Sequence, residues 1–342
     1  MNQVVSKQAV NTSSAAHVVS KLPSPFRTPR GEEEYMAAYE ASMQLWTVPY
    51  EAVDLRSRFG STHVVICGPR NAQPLVLLHC FATSLTCWAY NVAPLSQNYR
   101  VYALDVMGQP GKSIPDHPIR SRDELSEWLT DSLDQLGIHR TDLIGYSFGG
   151  FTGLNYAMHA PDRVNKLVLL SPAGSLVPLW KQFYVRGIVS SLLPSLSHLL
   201  ANRLWFEWMF DKPNLNNEKT RRIYDRLLTQ FALGQRHFRS AGGVLPIAYK
   251  DDELRGVRSP TLVLIGQQES LLDPVAAVRR ARQLIPRVQA ELVPQASHDL
   301  PVSRAETVNQ RVVAFLEGAE VFGTDGVGQT SAADQPMTGA LR

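Results

Sequence analysis

From Pro74 onward the chain alternates short apolar runs with stretches of helical periodicity. Leu75–His79, Val101–Asp105, Asp142–Tyr146, Lys166–Ser171, Thr261–Gly266 and Ala290–Val293 are rich in Val, Leu and Ile and read as strands. Between them, Thr83–Leu95, Arg122–Leu136, Phe148–His159, Pro274–Leu284 and Ser303–Leu316 read as helices. Such alternation predicts an α/β fold: a mostly parallel sheet with helices on both faces. Ahead of it, Tyr35, Tyr39, Met43 and Trp46 recur at three- and four-residue spacing and predict an amphipathic helix over 31–46. Ala52–Arg56 and His63–Cys67, separated by Phe59-Gly60-Ser61, predict an antiparallel hairpin.

One stretch breaks the rhythm. Between Gly174 and Arg258 there is helical periodicity without strands, including the aromatic run Leu204-Trp205-Phe206-Glu207-Trp208-Met209-Phe210. We read 174–258 as a helical cap inserted into a core made of 31–173 and 259–317. The polar, small-residue-rich ends, 1–30 and 318–342, are expected to be poorly ordered.

Composition narrows the function classes. With 342 residues and 44% hydrophobic content, the chain can bury the core of one catalytic domain with an insertion. A net charge of +3 with interspersed signs offers no basic stripe for nucleic acid. No run of about 18 apolar residues predicts a membrane span, and 1–21 makes a poor secretory signal. The odd set Cys67, Cys80 and Cys87 points to a reducing cytoplasm.

The chemistry centres on Gly145-Tyr146-Ser147-Phe148-Gly149, where an apolar strand runs into Gly-x-Ser-x-Gly and then a helix. A serine hydroxyl needs a base to take its proton and a carboxylate to orient that base. His298, on the loop after the last strand, is the candidate base. Glu269 and Asp273, both following Thr261–Gly266, are the candidate acids; Glu269 is favoured, because Asp273 suits the cap of the helix starting at Pro274. Two backbone N–H groups must face the developing oxyanion. Phe148, directly after the serine, and Phe81, after the strand Leu75–His79, are the candidates, with His79 expected to brace the loop backbone.

These residues resemble the α/β-hydrolase superfamily, and within it the bacterial capped carboxylesterases. The resemblance runs from Phe26 to Leu316. It rests on Phe26-Arg27-Thr28, Arg58–Val64, Pro74–His79, Asp105-Val106-Met107-Gly108-Gln109-Pro110-Gly111-Lys112-Ser113-Ile114-Pro115, Gly145–Gly150, Gly266–Pro274 and His298. It implies an eight-stranded sheet, no cofactor or metal, Ser147 as nucleophile, Glu269 as acid, His298 as base, and Phe81 and Phe148 as oxyanion donors. Three residues depart from the family pattern: Cys80 replaces a glycine, Glu269 the commoner aspartate, and Ser297 a glycine. Cys80 carries the largest consequence: a side chain where the backbone needs positive φ would displace the Phe81 amide, and the alternative, which we favour, is that Cys80 is tolerated there as a small buried residue.

For substrate, Trp180, Phe183, Trp205 and Trp208, with Tyr184, Phe206 and Phe210 beside them, are expected to line an apolar pocket. No cluster of Arg or Lys is placed for a phosphate or free carboxylate, which favours a small, neutral ester as partner; a homodimer is left open. The rival readings are a carbon-carbon bond hydrolase, a lactonase, a cofactor-free perhydrolase and a catalytically weak receptor on the same fold.

Overall fold

The computed structural model describes residues 23–192, 203–209, 218–239 and 243–319. The loose ends expected at 1–22 and beyond 319, and Phe210 of the aromatic run, lie outside the described residues.

The strands are β1 (Tyr50–Ser57), β2 (Gly60–Cys67), β3 (Gln73–Leu78), β4 (Tyr99–Leu104), β5 (Ile114–Pro115), β6 (Thr141–Tyr146), β7 (Val164–Leu170), β8 (Thr261–Gly266) and β9 (Val288–Val293). They form one sheet in the order β1-β2-β4-β3-β6-β7-β8-β9. The β1–β2 hairpin and the β2–β4 pair are antiparallel, and every pair from β4 through β3 to β9 is parallel. β5 adds a short ninth strand to the eight expected, pairing Ser61 with Ile114 and Gly60 with Pro115. Two residues ending in proline carry too little pattern to announce a strand.

Covering both faces explains why the central strands are almost wholly apolar. Along β3, Leu75 and Leu77 join the core on one side, while Val76 and Leu78 join the other. The first side is covered by α1 (Pro29–Met43) through Tyr35, Tyr39 and Met43, and by the carboxyl-terminal helix Ala305–Leu316 through Val308, Val312 and Phe315. The second is covered by α2 (Arg122–Gln135), α3 (Phe148–His159) and Pro274–Leu284.

The helix expected over Thr83–Leu95 is two short turns, Leu85–Trp88 and Val92–Leu95. Tertiary hydrogen bonds override the periodicity there: the Asp105 carboxylate accepts the Leu85 N–H at 2.9 Å, and Gln230 accepts the hydroxyls of Ser84 and Thr86 at 2.9 and 3.0 Å.

Between β7 and β8 the described residues form Lys181–Leu192 (α4), 203–209 (α5) and Glu218–His237 (α6). Residues 23–30, expected to be loose, are instead docked against the end of α6. Phe26 is buried, its ring centroid 5.1 Å from Tyr35 and 5.4 Å from Phe238. The Arg27 N–H donates to the His237 carbonyl at 2.7 Å, and the Arg239 N–H donates to the Pro25 carbonyl at 2.8 Å. Thr28 then caps α1 by accepting the Gly31 N–H. A single aromatic in a polar segment gave no periodicity from which this docking could be read.

Candidate active site

Ser147 stands between β6 and α3 with φ 53° and ψ −111°, a conformation costing about 1–3 kcal/mol for a non-glycine residue. The turn holds because its neighbours approach too closely for side chains. A Cβ at Gly145 would strike the Gly149 carbonyl, and one at Gly149 would strike the Leu78 carbonyl of β3. The serine's own N–H is anchored to the Leu170 carbonyl at 2.9 Å.

The hydroxyl so presented meets His298. Ser147 Oγ lies 2.8 Å from His298 Nε2, and His298 Nδ1 lies 3.0 and 2.9 Å from the two carboxylate oxygens of Glu269. With Nδ1–H donating to the carboxylate, Nε2 is free to accept the serine proton. Of the two carboxylates left open by the sequence, Glu269 is the one beside His298. Asp273 accepts the Ala276 N–H at 2.9 Å and caps Pro274–Leu284.

All three side chains are buried, and burial sets their electrostatics. It disfavours imidazolium, yet the charge and hydrogen bond of Glu269 outweigh it and hold His298 above the usual 6.5. Burial pushes Glu269 upward, but His298 and the Leu271 N–H, which donates to Oε1 at 2.9 Å, bring it below the usual 4.5. The Leu271 contribution comes from backbone and has no sequence signal.

The loop after β3 faces the serine from the other side. His79 Nε2 accepts the Val106 N–H at 2.8 Å, so Nδ1 carries the proton and donates to the Cys80 carbonyl at 2.9 Å. Burial lowers the pKa of this histidine, keeping it neutral in that bracing role. The left-handed residue of the loop is Ala82, φ 56°, and not Cys80. Its N–H is held by the Oε1 of buried Gln109 at 2.9 Å. Gln109 lay within the Asp105–Pro115 motif, but only the folded loop reveals what it touches. Phe148 is the first residue of α3, where an N–H has no intrahelical acceptor. Phe81 and Phe148 both line the cavity in front of Ser147. The third departure, Ser297, is buried and its hydroxyl donates to the Gln268 carbonyl at 3.2 Å, tying the histidine loop to the Glu269 loop.

That cavity measures about 610 Å³. Its lining holds no Lys, Arg, Asp or Glu among the described residues; Phe183, Tyr184, Trp205, Phe206 and Phe231 supply its aromatic wall. Two expected lining residues are elsewhere. Trp180 precedes the first turn of α4 and is 48% exposed, its backbone N–H donating to the Leu271 carbonyl. Trp208 carries the Arg186 guanidinium 4.7 Å above its ring, outside the cavity. Helix geometry accounts for it: Trp205, Phe206 and Met209 share an arc of about 100°, and Trp208 falls about 60° beyond its edge. Trp205 also packs on Phe183 and Phe231 at 5.7 and 5.4 Å, so it joins α4 and α6 at the cavity wall.

A strained serine at a strand-to-helix turn, hydrogen-bonded to a histidine and through it to a glutamate, on a sheet of this order, defines a class: the chain belongs to the α/β-hydrolase fold family, whose pattern matches residues 73–305. Among particular relatives, it is 33% identical over 288 residues to the Bacillus subtilis protein called uncharacterized carboxylesterase nap, covering 82% of this chain and 92% of that one. It is also 33% identical over 285 residues to carboxylesterase YbfK of the same organism, covering 83% and 94%. The crystal structure of naproxen esterase from Bacillus subtilis superposes with a TM-score of 0.77 at 32% identity, covering 85% of this chain and 99% of that one.

Proposed function

We propose that the protein is a serine carboxylesterase acting on neutral, apolar or aryl carboxylic esters through an acyl-enzyme. The observation that carries the reading is the buried hydrogen-bonded chain from Ser147 through His298 to Glu269 at a cavity lined, among the described residues, by no acidic side chain, lysine or arginine. The two Bacillus relatives named as carboxylesterases support it.

In this mechanism Ser147 Oγ attacks the ester carbonyl while His298 Nε2 takes its proton, and Glu269 stabilises the imidazolium. The carbonyl oxygen, now negative, receives the N–H groups of Phe81 and Phe148, each worth about 3 kcal/mol to the transition state. Collapse expels the alcohol, protonated by His298, and leaves Ser147 acylated. Water, deprotonated by the same histidine, then attacks the acyl carbon, and a second collapse releases the acid. The three unpaired cysteines suit a reducing compartment, and a cytoplasmic location belongs to the same proposal.

The test is fluorophosphonate labelling joined to p-nitrophenyl butyrate hydrolysis. Wild type should be labelled on Ser147 and show a burst of p-nitrophenol; Ser147→Ala should lose both. Labelling at another residue, or a burst in the variant, refutes the assignment.

A further inference from the structure

The mouth of the cavity is apolar on the outside as well as within. Phe81, Tyr184, Ile188 and Leu245 line the space in front of Ser147 and are also 42, 41, 58 and 69% exposed, so they form its rim. Val185 and Ile247, exposed and outside the cavity, carry the apolar surface further along α4 and along the segment that leads to Lys250. On α4, Tyr184, Ile188, Lys181 and Val185 share an arc of about 100°, an exposed apolar stripe with one lysine in it.

Charge is distributed to match. The sequence segments that supply the rim, 174–206 and 238–250, contain Lys181, Arg186, Arg203, Arg239 and Lys250 and no aspartate or glutamate, and 80–99 carries no charge at all. The whole chain is only +3, so the remainder is net negative and the positive charge concentrates in the segments around the mouth. Arg203 is paired with Glu207, whereas Lys181 stands exposed within the stripe. We propose that this rim is a docking surface for an anionic lipid bilayer, on which α4 lies in the interfacial plane and the cavity opens toward the acyl chains.

An in-plane helix of this kind sinks its apolar side chains below the headgroups while lysine extends its ammonium to the lipid phosphates. Among the described residues no helix is long and apolar enough to cross a bilayer, so the contact is peripheral. Charge chooses lipid over a second copy of the chain. A two-fold dimer through the rim would press like-charged segments together with no acidic side chain from them to separate the charges, whereas anionic headgroups complement them. The esterase reading gives the surface its use, and that part of the inference rests on it: a neutral apolar ester dissolved in the bilayer passes into the cavity between Tyr184 and Leu245 without crossing water.

Flotation of the full-length protein with vesicles of phosphatidylcholine alone, and of phosphatidylcholine with an equal part of phosphatidylglycerol, tests it. The mixed vesicles should carry the protein up the gradient, the phosphatidylcholine vesicles about tenfold less, and added salt should weaken the contact. Lys181→Glu and the double variant Val185→Glu/Ile247→Glu should each lower binding to the mixed vesicles about tenfold or more, with melting and kcat/KM for soluble p-nitrophenyl butyrate unchanged. Hydrolysis of p-nitrophenyl palmitate dissolved in the mixed vesicles should fall in step with binding. Wild type that stays at the bottom of both gradients, equal flotation on the two compositions, or variants that float as wild type does overturns the proposal. So does a dimer in sedimentation velocity that Val185→Glu splits while no vesicle is bound. Flotation needs no turnover, so protein that floats and hydrolyses neither ester counts against the functional reading alone.

Discussion

Replacing Glu269 with glutamine changes one atom and removes the charge that governs His298. The carboxylate now takes the Nδ1–H at 2.9–3.0 Å and outweighs the burial that disfavours imidazolium. An amide in its place offers no charge, and its NH₂ can hold the ring in the opposite tautomer, with the proton on Nε2 where the serine needs an acceptor. Loss of orientation and of imidazolium stabilisation together should lower kcat about 10³–10⁴-fold, or about 4–5.5 kcal/mol in the barrier. The pH profile carries an independent sign. The base must be neutral, so activity falls as pH drops through the pKa of His298, which in wild type lies above 6.5 because of Glu269. In Glu269→Gln the largest upward influence is gone while burial remains, the pKa drops, and the acid limb of kcat/KM moves to lower pH. Initial rates with p-nitrophenyl butyrate between about pH 5 and 9 measure both quantities. A kcat within tenfold of wild type, or an acid limb that stays or moves to higher pH, would refute the reasoning.

Asp273→Ala should leave kcat within about twofold and cost about 1 kcal/mol of stability, read by thermal melting, because it deletes a helix cap and no site contact. Gln109→Leu should lower kcat about tenfold with KM nearly unchanged, since it releases the Ala82 N–H that fixes the oxyanion loop; steady-state kinetics showing a KM effect alone would contradict this. Phe183→Ala should raise KM for aryl esters several-fold by removing cavity wall, whereas Trp208→Ala should leave KM in place; a pH-independent comparison with p-nitrophenyl esters separates them. Gly149→Ala should express poorly or melt far below wild type, because its Cβ meets the Leu78 carbonyl at the buried end of β3.

The parts of the fold visible in the sequence are those where one period dominates. β8, α3 and Pro274–Leu284 begin and end where their apolar patterns do, because β8 and most of α3 are buried on every side and Pro274–Leu284 is buried along the stripe Ala277, Val278, Ala281 and Leu284. Ser147, Glu269 and His298 were legible as a set because each follows an apolar strand and so sits at its carboxyl end, a position chain order alone specifies. What stayed hidden depends on contacts distant in sequence. Gln230 breaks the helix expected at Thr83–Leu95, Phe238 seats Phe26, and Gln109 pins Ala82. Trp180 and Trp208 were misplaced for other reasons: Trp180 stands ahead of α4 and outside any helix, and for Trp208 aromatic composition is silent on the helix phase that decides which ring faces inward.

The docking of Phe26 bears on selectivity. α6 sends Leu227 and Phe231 into the cavity and ends where the segment around Pro25–Arg27 grips His237 and Arg239 with two backbone hydrogen bonds. One wall of the reaction chamber is thus moored to a stretch of chain that never touches the ester. Loosening Phe26 would in consequence free the end of α6 from outside the chamber, while Ser147, His298 and Glu269 stand on the loops after β6, β9 and β8.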